Sequence, residues 1–271
     1  MFRSILLTLC ATLAPLAAAA QNQRISHCIA IADAAPGIEY LHKASWSDPV
    51  PEQSVRLHYI DHSMVLLQTE GGLSVVTDFN GWTGGARFAP DYVTMNHAHS
   101  SHMTDMIPEG TVALKGWSGQ FGVAAEHHLD LGEMLIRNVP TAIRSFGGVE
   151  ENGNSIFVFE VAGLCIGHLG HLHHEPDPAQ YAALGRLDVV MAAVDGSYTV
   201  DQPTMIRILN RLRSRIVIPV HWFGEPTLQR FLDGMKDEFA VERPGVSEVI
   251  VSLRTLPREP TVMVLEPERL Q

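Results

Sequence analysis

From Val55 onward the chain alternates short apolar runs with turn signals. "VRLHYI", starting at Val55, switches between apolar and polar positions, the period of a strand with one covered face. "MVLLQTE" and "LSVVTDF" follow, split by Gly71-Gly72, and predict a tight turn between two strands. "DYVTMNH", "TVALKGW", "MLIRNVP", "SIFVFEV" and "LCIGH" continue the series, with Gly163 as a hairpin turn before the last. After Leu187 the period changes. "LDVVMAAV" is apolar throughout, as expected of a strand covered on both faces. Met205, Ile208, Leu209 and Leu212 then recur at helical spacing. "RIVIPVH" predicts another buried strand, and Leu228, Phe231, Leu232 and Met235 a second helix, with Pro226 suited to its first turn. "EVIVSL" and "TVMVL" close the chain as strands. A strand-rich first part and an alternating second part predict a layered α/β sandwich, with helices on the outer faces of packed sheets.

The first twenty residues do not fit that sandwich. Arg3 precedes an apolar run ending in "PLAAAA", and the small residues Ala18 and Ala20 suit cleavage before Gln21. Residues 1–20 are therefore read as a signal peptide and residues 21–271 as a single domain, exported to the periplasm or secreted. No later segment is long enough to span a bilayer. The formal charge of the 271 residues is -11, a surface that repels nucleic acid and anionic lipid and says nothing specific about substrate. Cys28 and Cys165 survive cleavage. An oxidising compartment permits a disulfide between them, while the apolar run around Cys165 equally suits a buried free thiol.

The fourteen histidines matter by placement. His97, His99 and His102 follow one predicted strand, His168, His171, His173 and His174 a second, and His221 ends a third. The ends of strands in a layered sheet gather at one rim, where sites form. An H-x-H pair on an extended segment points both rings to one side. Neutral imidazole suits zinc, iron and other borderline divalent metals. His97, His99 and His221 are read as ligands, joined by His102 and His168, with His171 open. His27, His42, His58, His127 and His128 are read as hydrogen-bonded surface residues, and so, more narrowly, are His173 and His174.

These stretches resemble a family. "HAHSSH" is similar to the H-x-H-x-D-H signature of the metallo-β-lactamase superfamily, closest to its lactonase-like branch of ascorbate-phosphate lactonase-like hydrolases. "IDHSMVLLQTEGGLSVVTDF", "GNSIFVFEVAGLCIGHLGH", "AAVDGSYTVD" and "IVIPVHWF" resemble further landmarks of that branch in order and spacing. The resemblance implies a four-layer αββα sandwich and a site for one or two metals. Three positions depart from it. Ser101 stands where the family has Asp, His168 where it has a bridging Asp, and the segment with Gly147 and Gly148 lacks a histidine.

A neutral imidazole has one free lone pair and does not bridge two cations. The expectation is therefore a single, largely histidine site on His97, His99, His168 and His221, with His102 close by. An alternative keeps a weak second metal on His102, helped by Ser101 or His171. Zinc is the expected ion, one or alternatively two, with iron or manganese as alternatives. Asp78, matching the family's T-D landmark, is expected to support a ligand histidine. His62 lines the pocket or caps a turn. Asp195 is a candidate general base or an ordinary Asp-Gly turn. Tyr198 is a candidate hydrogen-bond donor to substrate or a core residue. The function expected is a metal-dependent hydrolase of a small lactone, ester, amide or phosphodiester. The rivals are a non-catalytic metal-binding protein and a mononuclear iron oxidoreductase on the same fold.

Overall fold

The computed structural model describes residues 24–30, 45–145 and 148–271. The signal-peptide reading and His42 lie outside the described residues. Helix α1 is His27–Ala30. Strands β1 (Val55–Asp61), β2 (Met64–Thr69), β3 (Ser74–Val76), β4 (Tyr92–Met95) and β5 (Val112–Lys115) follow. Next come β6 (His128–Asp130), β7 (Met134–Ser145), β8 (Gly148–Val161) and β9 (Leu164–His168). The second part runs α2 (Pro178–Leu184), β10 (Val189–Ala193), α3 (Gln202–Leu212), β11 (Ile216–Val220), α4 (Glu225–Met235), β12 (Ala240–Glu242), β13 (Glu248–Val251) and β14 (Thr261–Met263).

Two sheets form. One has six strands in the order β13-β1-β2-β3-β4-β5, the other eight in the order β12-β14-β11-β10-β9-β8-β7-β6. The alternation in the sequence decides which side chains meet between them. Leu57, Tyr59, Val65, Leu67 and Val75 of the first sheet share one buried cluster with Ile136, Phe157, Phe159, Met191 and Ile218 of the second. The opposite face of the second sheet buries Val158, Val190 and Val217 under Met205, Leu209, Leu228 and Phe231 of α3 and α4. "LDVVMAAV" is thus covered on both faces, as its unbroken apolar run requires. Asp201 caps α3 by accepting a hydrogen bond from the Thr204 backbone at 2.9 Å. Asp177 and Gln180 close a capping box on α2.

The outer face of the six-stranded sheet is finished differently. Its apolar residues Ile60, Leu66, Val76 and Val93 pack under Trp46, Phe79, Phe88, Ile107 and Leu270. Among the described residues this fourth layer is loop and C-terminal tail. The cover also buries the polar positions of β1. Arg56 donates to the Asp48 carbonyl at 2.7 Å, and His58 Nε2 meets the Glu268 carbonyl at 2.6 Å. His58, expected at the surface, is a buried residue because the tail crosses its strand.

Cys28 and Cys165 are joined in a disulfide with a Cα–Cα distance of 5.8 Å, which decides between the two readings left open by the sequence. Strand direction sets where the functional residues go. β3, β4 and β5 are parallel, and β1 runs with β3 because both are antiparallel to β2. β9, β10 and β11 are parallel in the other sheet. The two sheets meet at the end of β4, where the Ser155 backbone donates to the Asn96 carbonyl at 3.0 Å. Their C-terminal ends therefore share one rim.

Candidate metal centre

Six segments deliver side chains to that rim. The β1–β2 turn brings His62, β3 ends before Asp78, and β4 leads to His97, His99 and His102. β9 leads through His168 to His171, β10 to Asp195, and β11 to His221. Three of these residues hold a left-handed backbone: His62 (φ 53), Asp78 (φ 50) and His221 (φ 56). Such a conformation costs a non-glycine residue roughly 1–2 kcal/mol and persists where the surroundings over-determine it, commonly at functional sites.

Two carboxylates fix two of the imidazoles. Asp78 Oδ2 makes a short hydrogen bond with His102 Nδ1, and Asp195 Oδ1 one of 3.0 Å with His221 Nδ1. Each bond places the ring proton on Nδ1 and leaves the Nε2 lone pair free. Nε2 of His102 and Nε2 of His62 are both buried without a hydrogen-bond partner. A buried polar atom left unpaired costs free energy unless something missing from the protein chain satisfies it. The ligand nitrogens of His62, His102 and His221 lie within 4.8 Å of one another. Three converging imidazoles, two of them backed by carboxylates, fit a divalent metal of borderline character.

The electrostatics set His102 apart from the other rings: with no cation present its ring is held toward the charged form, whose Nε2 proton a metal would have to displace. Burial opposes protonation of His102, but the Asp78 carboxylate outweighs it and raises the ring above its ordinary value. Burial would push Asp78 up, and the charge and hydrogen bond of His102 hold it well below the usual carboxylate range. Asp195 is depressed too, its burial being outweighed by hydrogen bonds from His221 and Thr199. Burial, with the neighbouring histidines, pushes His62 down to about 4 and His171 down to about 2.

The chain matches the model of the "Beta-lactamase superfamily domain" over residues 56–221. It belongs to that superfamily. A "UPF0173 metal-dependent hydrolase" of Methanosphaerula palustris is 27% identical over 213 residues, covering 73% of this chain and 96% of the relative. A similarly named protein of Thermococcus kodakarensis is 24% identical over 220 residues, covering 70% and 97%. Among solved structures, a proposed zinc-dependent hydrolase of the metallo-β-lactamase superfamily from Thermotoga maritima superposes with a TM-score of 0.59 at 25% identity, covering 79% of this chain and 100% of that one. Igni18, a metallo hydrolase of Ignicoccus hospitalis, superposes with a TM-score of 0.56 at 18% identity, covering 74% and 100%, and shows the shared fold.

Within the superfamily frame, several residues fall elsewhere than the sequence suggested. His168 was expected as a ligand. Its Nε2 meets the Ser63 carbonyl at 2.9 Å and its Nδ1 accepts from the Gly170 backbone at 3.1 Å. Both nitrogens are used, so the ring has no lone pair for a cation and acts as a strut between the sheets. Asp195, expected as a general base, already accepts from His221, from Thr199 Oγ1 at 2.7 Å and from the Tyr198 backbone at 2.6 Å. Its lone pairs are taken, which suits holding His221 rather than receiving a proton from water.

The other expected residues divide into two groups. His97 binds the Gly153 carbonyl through Nδ1 at 2.8 Å, which keeps its Nε2 lone pair available. His99 is exposed, with Nδ1 held by Ser101 Oγ at 2.8 Å. Their rings stack 6.4 Å apart, beside the three-histidine cluster rather than in it. Tyr198 is exposed and packs edge-on against Phe223 at 5.7 Å, which rules out core packing. His62 moves from supporting residue to the centre, its ring 4.2 Å from His221 and 4.9 Å from His102. The sequence signals for this were its place in the turn after β1 and in the "IDHS" stretch that resembles a landmark of the family, and the turn points to the rim only once strand direction is known.

Proposed function

We propose that the chain is an exported metal-dependent hydrolase of a small molecule, working from a single site on His62, His102 and His221. The observation that carries it is the pair of buried, unpartnered Nε2 atoms on His62 and His102, beside a third ring whose opposite edge is held by Asp195. The names of the relatives support the reaction class. The Cys28–Cys165 disulfide supports an oxidising compartment.

When bound, a divalent metal supplies an activated water and a Lewis acid for a carbonyl or phosphoryl oxygen. The chain's own residues do the rest. Asp78 and Asp195 keep two rings in the Nδ1–H tautomer. Phe223, exposed and 4.9 Å from the His221 ring, forms with Tyr198 an aromatic wall beside the three-histidine cluster. That wall suits a lactone or ester with an apolar group next to the scissile bond, and the Tyr198 hydroxyl is free to donate to it. Zinc fits a site of neutral imidazoles, and iron or manganese is the alternative.

Elemental analysis of the protein as purified, followed by assays on lactone, ester, amide and phosphodiester panels, tests this. One ion per chain with turnover of lactones or esters is the expected result. Metal without turnover on every panel would make the chain a binding protein, and redox-active iron would make it an oxidoreductase.

A further inference from the structure

His171 sits among the ligand rings yet is not free to be one. Its ring centroid lies 4.6 Å from that of His102, 5.7 Å from His221 and 5.4 Å from His97. The hydrogen bonds around it leave a single proton arrangement. The Arg144 backbone N–H can only donate, and it donates to His173 Nδ1 at 2.7 Å. His173 Nδ1 therefore carries no proton, and its ring proton sits on Nε2. That Nε2 lies 2.8 Å from His171 Nδ1, so His173 donates and His171 Nδ1 accepts. A ring that accepts at Nδ1 must carry its proton at Nε2. This is the reverse of His102 and His221, whose Nδ1 atoms face carboxylates.

We propose that His171 is a catalytic hydrogen-bond donor, its Nε2–H serving the oxygen that gains negative charge during hydrolysis. His173 is the positioning residue that holds it in that tautomer. This rests on the three-histidine site proposed above. As water adds to the scissile carbonyl, the C–O bond to water forms and the carbonyl π pair moves onto oxygen. As the carbonyl re-forms, the bond to the leaving oxygen breaks; one of the water's two protons ends on that oxygen, and the other leaves to solvent as the new carboxyl group ionises. His171 keeps its own proton throughout and acts only by donating a hydrogen bond. A fixed donor aimed at developing charge is worth more than a mobile one because it needs no reorganisation. The loop is built for such rigidity. The His171 backbone donates to Asn154 Oδ1 at 3.0 Å, and Asn154 Nδ2 donates to Thr141 Oγ1 at 2.7 Å. Gly170 before it has φ +62, and a Cβ there would lie 2.5 Å from the Asn96 side chain, so the close turn admits only glycine.

Long-range 1H–15N NMR of the imidazoles in the full, chelator-treated chain, repeated after zinc loading, reads the tautomers directly. Both His171 and His173 are expected as Nε2–H forms. His173→Ala should turn His171 into a tautomer mixture, and His173→Gln, whose amide still donates, should restore the Nε2–H form. In the assay, His171→Ala should lower kcat by about 10²-fold with a much smaller change in KM. His173→Ala should cost about tenfold, largely recovered by Gln. Zinc content should stay that of the unaltered chain in all of these variants. Loss of zinc in His171→Ala would make His171 a ligand and overturn the proposal, as would a resonance showing its Nε2 without a proton. Should His171→Ala fail to fold, the spectra of the unaltered chain and of the His173 variants still decide. Full zinc content in both His62→Ala and His102→Ala would instead defeat the three-histidine site, whatever the tautomer of His171.

Discussion

Two buried polar clusters in this protein look alike in composition and differ in their accounting. At the rim, His62, His102 and His221 stand with Asp78 and Asp195, and two buried ring nitrogens have no partner. On the far side of the eight-stranded sheet, Glu160 and Arg137 form a buried pair under the N-terminal segment. There the charges are met. Arg137 Nε donates to Glu160 at 2.8 Å, and its other nitrogens donate to the Ala183 and Leu184 carbonyls at 2.8 and 2.9 Å. Glu160 also accepts from Ser26 Oγ and from the His27 backbone. A buried charge that is fully hydrogen-bonded explains itself as structure. A buried lone pair that meets nothing asks for a ligand where further free donors converge on it. His27 Nε2, beside Glu160, is also buried without a partner, so convergence and not the orphan alone separates the two clusters. His27 shows the limit of reading residue types alone. With Cys28 and Cys165 it forms a group of metal-binding residue types, but the two sulfurs are bonded to each other.

The comparison breaks most sharply at Glu160. Glu160→Ala leaves Arg137 buried without its anion and should cost about 3–5 kcal/mol of stability with no change in metal content. Denaturant unfolding under non-reducing conditions, alongside elemental analysis, would show whether the two clusters are independent. At the rim the pattern reverses. His102→Ala or His221→Ala should lower metal affinity by more than the roughly 10–100-fold expected from removing a supporting carboxylate. In His221→Ala the unfolding midpoint of the metal-free protein should move little, because Asp195 keeps its hydrogen bonds from Thr199 and Tyr198, whereas His102→Ala also strands the buried Asp78 carboxylate and should destabilise. His99→Ala should leave metal content intact. Metal titrations that rank His99 with His102 would shift the site toward the H-x-H pair.

The smallest effect concerns acid. Burial alone would raise Glu160, but the hydrogen bonds from Arg137 and Ser26 outweigh it and hold the carboxyl below its ordinary value. A depressed native value contributes stability that is present above the unfolded carboxylate range and lost as pH falls through the native value. The stabilising contribution should therefore persist down to about pH 4 and decline below it. Unfolding midpoints of Glu160→Gln should run parallel to the unaltered chain above that pH and converge with it below. Convergence starting near neutrality would show that a histidine, and not Glu160, carries the effect.

Much of the molecule was legible in the chain itself. Alternation in "VRLHYI", the short apolar run of "LSVVTDF" after Gly71-Gly72 and the unbroken runs of "LDVVMAAV" and "RIVIPVH" predict β1, β3, β10 and β11, since local pattern reports where the chain is covered. The helix at Met205–Leu212 and the one at Leu228–Met235 were equally plain. Short β6 and β12 left no periodic trace, and α2 is marked mainly by its capping box. Residue type and order also placed histidines at strand ends. They could not say which ring nitrogen each histidine keeps free. That depends on partners far away in sequence: Ser63 takes the Nε2 of His168, 105 residues distant, and Asp78 takes the Nδ1 of His102, 24 residues distant. The sequence by itself determined the sandwich and the rim, because periodicity is local. Only the tertiary structure decided that the His62 ring lies beside those of His102 and His221, that both nitrogens of His168 are engaged, that His171 Nδ1 meets His173 and that Asp195 is hydrogen-bonded to His221. An imidazole has two nitrogens and one proton, and the contact made at one nitrogen settles what the other can do.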